Sequence, residues 1–263
     1  MGGPHASGGR ERAVIPPYSA AVPHPTLRDW LSEAPFTLTL SSGFFGFFAH
    51  AGVVAVLEEE GLLPSRGCGS SAGALVMGLW GAGLPAARLR EELLALRREH
   101  FWDPRPGWGL LRGAKFRERV EALLPVHTFA ECRWPIAFSA YDVASKRTEV
   151  LRDGPLAPAI HASCAVPLLF QPVRIGERRY LDGGVTDRHG LAATGPGERV
   201  LYHHLTSRSP WRRKDSPALR IPEREGLRAV ALEGLPRSGP FKLHRGLEAM
   251  ERAAAGMRAA LDR

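Results

Sequence analysis

Apolar positions along this chain follow two periods that take turns. Residues 36–40, Phe-Thr-Leu-Thr-Leu, form a short run of β-formers, and from Phe48 to Glu60 the apolar residues recur at helical spacing. A small-residue segment at 66–69 then leads into an apolar helical stretch over 71–83. Strand, helix, strand and helix in so short a span predict a parallel sheet with crossover helices, because parallel neighbours cannot be joined by a tight turn. Polar-faced helices are expected over 85–100 and 115–124, joined by the loop "FWDPRPGWG". "PIAFSAYDVASKRTEVLRDG" reads as two strands about a polar turn, and "GPLAPAIHASC" as a short helix. "FQPVRIGERRYLDGG" reads as a hairpin turning at Gly176-Glu177 and ending on Asp182. Later strands are expected over 200–205 and 227–232. Residues 241–261 close the chain as an amphipathic helix, with Leu243, Leu247, Met250 and Met257 on one side. Residues 1–34, crowded with helix breakers, read as a loosely ordered lead-in, with order beginning near Phe36 and 35–263 forming a single domain.

Composition narrows this picture. A chain of 263 residues can bury the core of one α/β domain. No apolar run approaches the roughly 18 residues that a membrane-spanning helix requires. The first thirty residues lack the apolar segment of a secretory signal, and Ala6 breaks the myristoylation pattern that Gly2 would open. Cys68, Cys132 and Cys164 are odd in number and widely spaced, which suits reduced thiols and a cytoplasmic location, and they lack metal-ligand spacing. Neither metal nor cofactor is expected. The net charge of +8 is concentrated in "RSPWRRKDSPALR" at 208–220, around Trp211. This patch reads either as a solvated loop or as a surface making transient, peripheral contact with anionic lipid headgroups. Nucleic acid is not expected, since no helix-turn-helix, zinc finger or aromatic sheet motif accompanies the charge.

Candidate chemistry lies in "GCGSSAGAL", where Gly69-Ser70-Ser71-Ala72-Gly73 fits G-x-S-x-G. That spacing pushes a serine into the open on a strained strand-to-helix turn, with glycines on either side keeping neighbouring atoms away. A helix N-terminus there also aims free N–H groups at a developing oxyanion. Read alone, the motif equally fits a serine capping a helix.

Three segments together resemble patatin-like phospholipases: "LSSGFFGFFAHAGVVAVLEEEGL", "GCGSSAGAL" and "ASCAVPLLFQPVRIGERRYLDGGVTD". In order they look like the oxyanion loop, the nucleophile elbow and the catalytic-aspartate segment, and the resemblance covers roughly residues 36–187. It implies a three-layer α/β/α sandwich with a mostly parallel central sheet, and a serine acyl hydrolase acting on lipid or other acyl esters. It further implies a dyad of Ser71 as nucleophile and Asp182 as base. The oxyanion hole would be built from the backbone of Gly43, Phe44 and Ala72, and the elbow would be framed by Gly69 and Gly73.

One departure stands out. The family pattern is three glycines, a variable residue, a basic residue and a glycine before Phe-Ala-His. Here Ser42, Gly43 and Phe44 stand at the glycines, Phe45 at the variable site, Gly46 at the basic one and Phe47 at the last glycine. Phe44 and Phe47 are therefore expected to adopt geometry that glycine accepts more easily. Phe44, Phe45, Phe47 and Phe48 are candidates for the wall of an acyl pocket, with core packing as the plainer role. Two other readings remain open: a Ser-His-Asp hydrolase using His189, His203, His204 or His244, and a non-catalytic lipid-binding scaffold that kept the fold. His50 and His161 read as structural.

Overall fold

The computed structural model describes residues 25–206 and 216–263. The basic residues Arg208, Arg212, Arg213 and Lys214 fall outside them. Order begins earlier than the sequence suggests, at helix α1 (Leu27–Glu33). Its first turn is closed by a capping box, in which the Thr26 hydroxyl accepts from the Asp29 N–H and the Asp29 carboxylate accepts from Thr26. Trp30 and Leu31 are buried, and the Arg199 guanidinium stacks 3.9 Å above the Trp30 ring. The capping box and this burial outweigh the helix breakers around it.

The chain then runs through β1 (Thr37–Leu40), α2 (Phe47–Glu59), β2 (Arg66–Ser70), α3 (Ala72–Gly81), α4 (Ala86–Leu94), β3 (Gly109–Leu111) and α5 (Ala114–Leu123). It continues with β4 (Ile136–Asp142), β5 (Arg147–Leu151), α6 (Leu156–Cys164), β6 (Leu168–Phe170), β7 (Val173–Ile175), β8 (Arg178–Asp182), β9 (Val200–Leu205), β10 (Leu227–Leu232) and α7 (Gly246–Leu261). The main sheet has the order β10-β9-β1-β2-β4-β8-β7, with β5 also pairing β4. Pairing is parallel from β10 through β4 and antiparallel at β5, β8 and β7. Every residue of β1 and β9 is buried whichever face it points to, as in a sheet covered on both sides. The core is thus a layered, mostly parallel α/β arrangement.

Other expectations about elements change too, and the helix expected over 85–100 ends at Leu94. α7 starts at Gly246, and its buried face is Ala249, Met250, Ala253, Met257 and Leu261, while Leu247 is exposed. α7 packs closely on α2, where a β-carbon at Gly52 would overlap the carbonyl oxygen of Met250. In addition, β3 and β6 make a separate two-stranded parallel sheet, with Gly109 opposite Leu168 and Leu111 opposite Phe170.

Candidate active site

Leu40 of β1 lies opposite Gly69 of β2, so the loops that leave these strands share one edge of the sheet, where open α/β sheets bind ligands. The loop after β2 is a single residue. Ser71 stands between Ser70 and Ala72 with φ 53° and ψ −117°, a conformation that L-residues rarely adopt. Its neighbours must be small. A β-carbon at Gly69 would come within 2.6 Å of the Gly73 carbonyl and the Ala74 nitrogen, and one at Gly73 would overlap the carbonyl oxygen of Leu40. Ser70 is fully buried, so its hydroxyl is not the presented one.

α6 fastens the turn from behind. The Ser71 N–H donates to the Ser163 hydroxyl at 2.9 Å, which donates to the Ser139 carbonyl at 2.7 Å. The Cys164 thiol donates to the Ser71 carbonyl at 3.1 Å, and burial holds its pKa well above the usual thiol range. The sequence reading gave neither a place in the site: Cys164 was noted only as a reduced thiol, and Ser163 was not singled out.

Asp182 arrives from the antiparallel side. It closes β8 opposite Ala140, and the residue before Ala140, Ser139, lies opposite Ser70. That register sets the carboxylate beside the elbow, where Ser71 Oγ donates to Asp182 Oδ2 at 2.6 Å and the Gly184 N–H donates to Oδ1 at 2.7 Å. Gly183 and Gly184 are needed for the approach, since β-carbons there would overlap the Ser139 carbonyl and the Ser42 hydroxyl.

The loop after β1 completes the edge. The Ser42 N–H is committed to the Arg188 carbonyl at 2.7 Å, and the buried Arg188 guanidinium donates to the Leu205 carbonyl at 2.7 Å. Gly43 and Phe44 therefore begin the part of the loop that borders the cavity, together with Ser71 and Ala72. Ala72 opens α3, so its N–H has no acceptor within the helix. The glycine-like geometry expected at Phe44 and Phe47 is found at Phe45 instead, with φ 55°. Phe47 begins α2, whose right-handed geometry suits any side chain, and the turn closes with the Gly46 N–H on the Gly43 carbonyl at 2.9 Å. Leu205 packs against the position of the missing basic residue: a β-carbon at Gly46 would require its Cδ1 to move aside.

The cavity in front of Ser71 encloses about 980 Å³, its open mouth included. Its wall is mostly apolar, including Leu75, Leu79, Phe116, Val120, Leu169 and Phe170. The charged residues Glu92 and Arg119 also line it, and they pair with each other. Phe44, Phe45 and Phe47 stand in this wall, whereas Phe48 does not. It is 1% exposed and fills the space against Gly246 of α7.

Three of the four candidate histidines, His189, His203 and His204, have other partners. His50 Nδ1 lies 2.8 Å from His203 Nδ1, and Tyr202 joins the Nδ1 atoms of His189 and His204 at 2.8 and 2.7 Å through its hydroxyl. Burial lowers the pKa of His50 to about 4 and that of His203 well below the usual value.

Residues 38–194 match the family model described as Patatin-like phospholipase. Uncharacterised NTE family proteins of Mycobacterium bovis and Mycobacterium tuberculosis are each 31% identical to this chain over 159 residues, which cover 59% of it and 44% of theirs. The match thus spans less than half the length of these curated relatives. In fold, the chain is similar to the crystal structure of VipD from Legionella pneumophila, with a TM-score of 0.52 and 13% identity over 87% of this chain and 67% of that one.

Proposed function

Since the match over residues 38–194 makes the chain a member of the patatin-like phospholipase family, we propose that it is a serine lipid acyl hydrolase working through Ser71 and Asp182. The observation that carries this reading is the 2.6 Å hydrogen bond from Ser71 Oγ to Asp182 Oδ2, made on a strained turn at the edge of an apolar cavity. A binding module has no need to hold a serine in that geometry.

The acyl chain of an ester lies in the cavity, among Phe44, Phe45, Phe47 and the side chains of α3 and α5. Ser71 Oγ attacks the carbonyl carbon while its proton passes to Asp182. An aspartate is a weak base in water, so the transfer relies on the short hydrogen bond and on stabilisation of the charge forming on the carbonyl oxygen. The N–H groups of Gly43, Phe44 and Ala72 supply that stabilisation, helped by the N-terminus of α3. Collapse of the tetrahedral intermediate expels the alcohol, which takes the proton from Asp182, and leaves an acyl-enzyme on Ser71. Water then attacks this ester, giving its proton to Asp182, and the acid departs as the proton returns to Ser71.

The partnerships of His50, His203, His204 and His189 with one another and with Tyr202 favour the dyad over a triad built on His189, His203 or His204. The loop around Gly46 supports a second reading, a slow or silent enzyme, because the basic residue is missing there and Leu205 packs against its position. A fluorophosphonate probe separates the two. Covalent labelling of the wild type at Ser71, with hydrolysis of a p-nitrophenyl ester that Ser71→Ala abolishes, is the expected result. Folded wild-type protein that neither labels nor turns over supports the silent reading, and substantial turnover by folded Ser71→Ala would end the assignment.

A further inference from the structure

The three most exposed large hydrophobic side chains among the described residues are Leu168 at 84%, Trp108 at 68% and Phe241 at 68%. They come from distant parts of the sequence, yet each is tied to the cavity. Leu168 and Phe241 are chain neighbours of Leu169 and Pro240, which line it. Phe241 also packs edge-on against Trp102, another lining residue, at 6.2 Å between ring centroids. Trp108 precedes β3, which pairs with β6 through Gly109 and Leu168, and Leu110 of the same strand is 49% exposed.

Leu168 is held outward at a cost, since its φ of 66° favours glycine and strains a leucine. No core contact repays that strain for a side chain in water. The segment that carries Trp102 and Trp108 is rich in exposed basic residues. Arg98 lies 5.5 Å above Trp102 and 5.1 Å above Phe241, and Arg97, Arg105, Arg112 and Lys115 are exposed along the same segment. Of the two acidic residues there, Asp103 is occupied in accepting from the N–H groups of Gly113, Ala114 and Lys115 at the start of α5, which leaves Glu99.

We infer that Trp108, Leu110, Leu168 and Phe241, together with Arg97, Arg98, Arg105, Arg112 and Lys115, form the face that docks the protein on an anionic phospholipid bilayer, with the cavity mouth against the lipid. Apolar tips would enter the interfacial layer while the basic groups meet headgroup phosphates, the division of labour seen in interfacial anchors. An ester lipid could then pass from the bilayer into the cavity without its chains crossing water. That benefit rests on the acyl-hydrolase reading, but the docking itself does not. None of its residues belongs to the basic stretch at 208–220.

The test uses the full chain carrying Ser71→Ala, so that no lipid is consumed. It is sedimented with phosphatidylcholine vesicles with or without phosphatidylglycerol. Binding is expected to the mixed vesicles, weakening with salt, and the set Trp108→Ala, Leu168→Gly, Phe241→Ala is expected to reduce it at least about tenfold, since each change removes apolar surface from the lipid contact. Leu168→Gly also relieves the backbone, so it alone should weaken binding without lowering the melting temperature. With Ser71 restored, the triple variant should hydrolyse a short soluble ester at the wild-type rate. Failure of both proteins on that ester would count against the hydrolase reading, and vesicle binding would still judge the face. Absence of wild-type binding, equal binding by the triple variant, or a wild-type dimer that the triple variant dissolves without any vesicle binding would each overturn the proposal.

Discussion

Asp182 uses its two carboxylate oxygens differently: Oδ1 accepts from the Gly184 N–H and so shapes the turn, while Oδ2 accepts from Ser71. Asp182→Asn separates these uses. The amide oxygen can keep the bond to Gly184, but the amide nitrogen facing Ser71 donates and cannot take a proton. The expected result on a soluble ester is a loss of about 10²–10⁴ in kcat, the range that general-base catalysis supplies, with an unchanged circular dichroism spectrum. Single replacements of His189, His203, His204 and His244 should stay within a few-fold of wild type. One histidine whose loss equals that of Ser71 would reinstate the triad, because groups that act as a unit fail together. At this scale the spacing of Gly69, Ser71 and Gly73 marked the elbow, because chemistry constrains it, whereas Asp182 came only from the family resemblance. The sequence was ambiguous where only hydrophobicity spoke. Phe47 and Phe48 are equivalent as letters, yet successive helical residues point about 100° apart, which sends one to the cavity and the other to α7.

Among elements, the junction of β1 with α3 is one of the tightest constraints on the site. Gly73 lies in the first turn of α3, against the backbone carbonyl of Leu40 at the end of β1. Neither atom belongs to a flexible side chain, so Gly73→Ala must push the helix off the sheet. Its cost should be about 2–3 kcal/mol or more, at the upper end of the usual range for overpacking, read as a lower urea midpoint together with lost activity. Gly195→Ala is the matched control: its β-carbon would come no closer than 3.9 Å to Glu198, and the midpoint should barely move. Equal effects of the two changes would show that this junction is not what fixes the elbow. The strands β9 and β10 were read from sequence at their observed bounds because their apolar runs are bounded by turn residues. The pair β3 and β6 was not. Each has three residues and finds its partner far along the chain, so neither carries a local pattern. The helix α1 had a local signal, Thr26 with Asp29 three residues on, hidden by the prolines before it.

At the scale of the whole molecule, buried histidines make the fold sensitive to acid. The Ser41 carbonyl can only accept, so His50 Nε2, 2.8 Å away, carries a proton. The neutral His50 ring must then accept at Nδ1 from the Nδ1–H of His203. A proton added to His50 would set N–H against N–H in a site already facing Arg188 and His204. Burial lowers His50 to about 4, and likewise His161 and His204, the latter two with added repulsion from Arg117 and Arg188 respectively. Asp103 opposes the shift at His161 without cancelling it. In the unfolded chain these rings titrate near 6.5. As pH falls below 6.5 the unfolded state takes up protons that the native state refuses until about 4, so stability declines across that window and is fully present above it. Urea midpoints should therefore drop steadily from pH 7 towards 4.5. His161 allows the cause to be isolated. Its ring nitrogens have no hydrogen-bond partner among the described residues, and its ring packs on Phe116 and Phe170 of the cavity wall. Phenylalanine there loses no hydrogen bond and cannot titrate. His161→Phe should leave stability at pH 7.5 equal or higher and make the acid slope shallower by up to about 1.4 kcal/mol per pH unit, one proton's worth. A slope unchanged from wild type would mean that the proton uptake lies elsewhere.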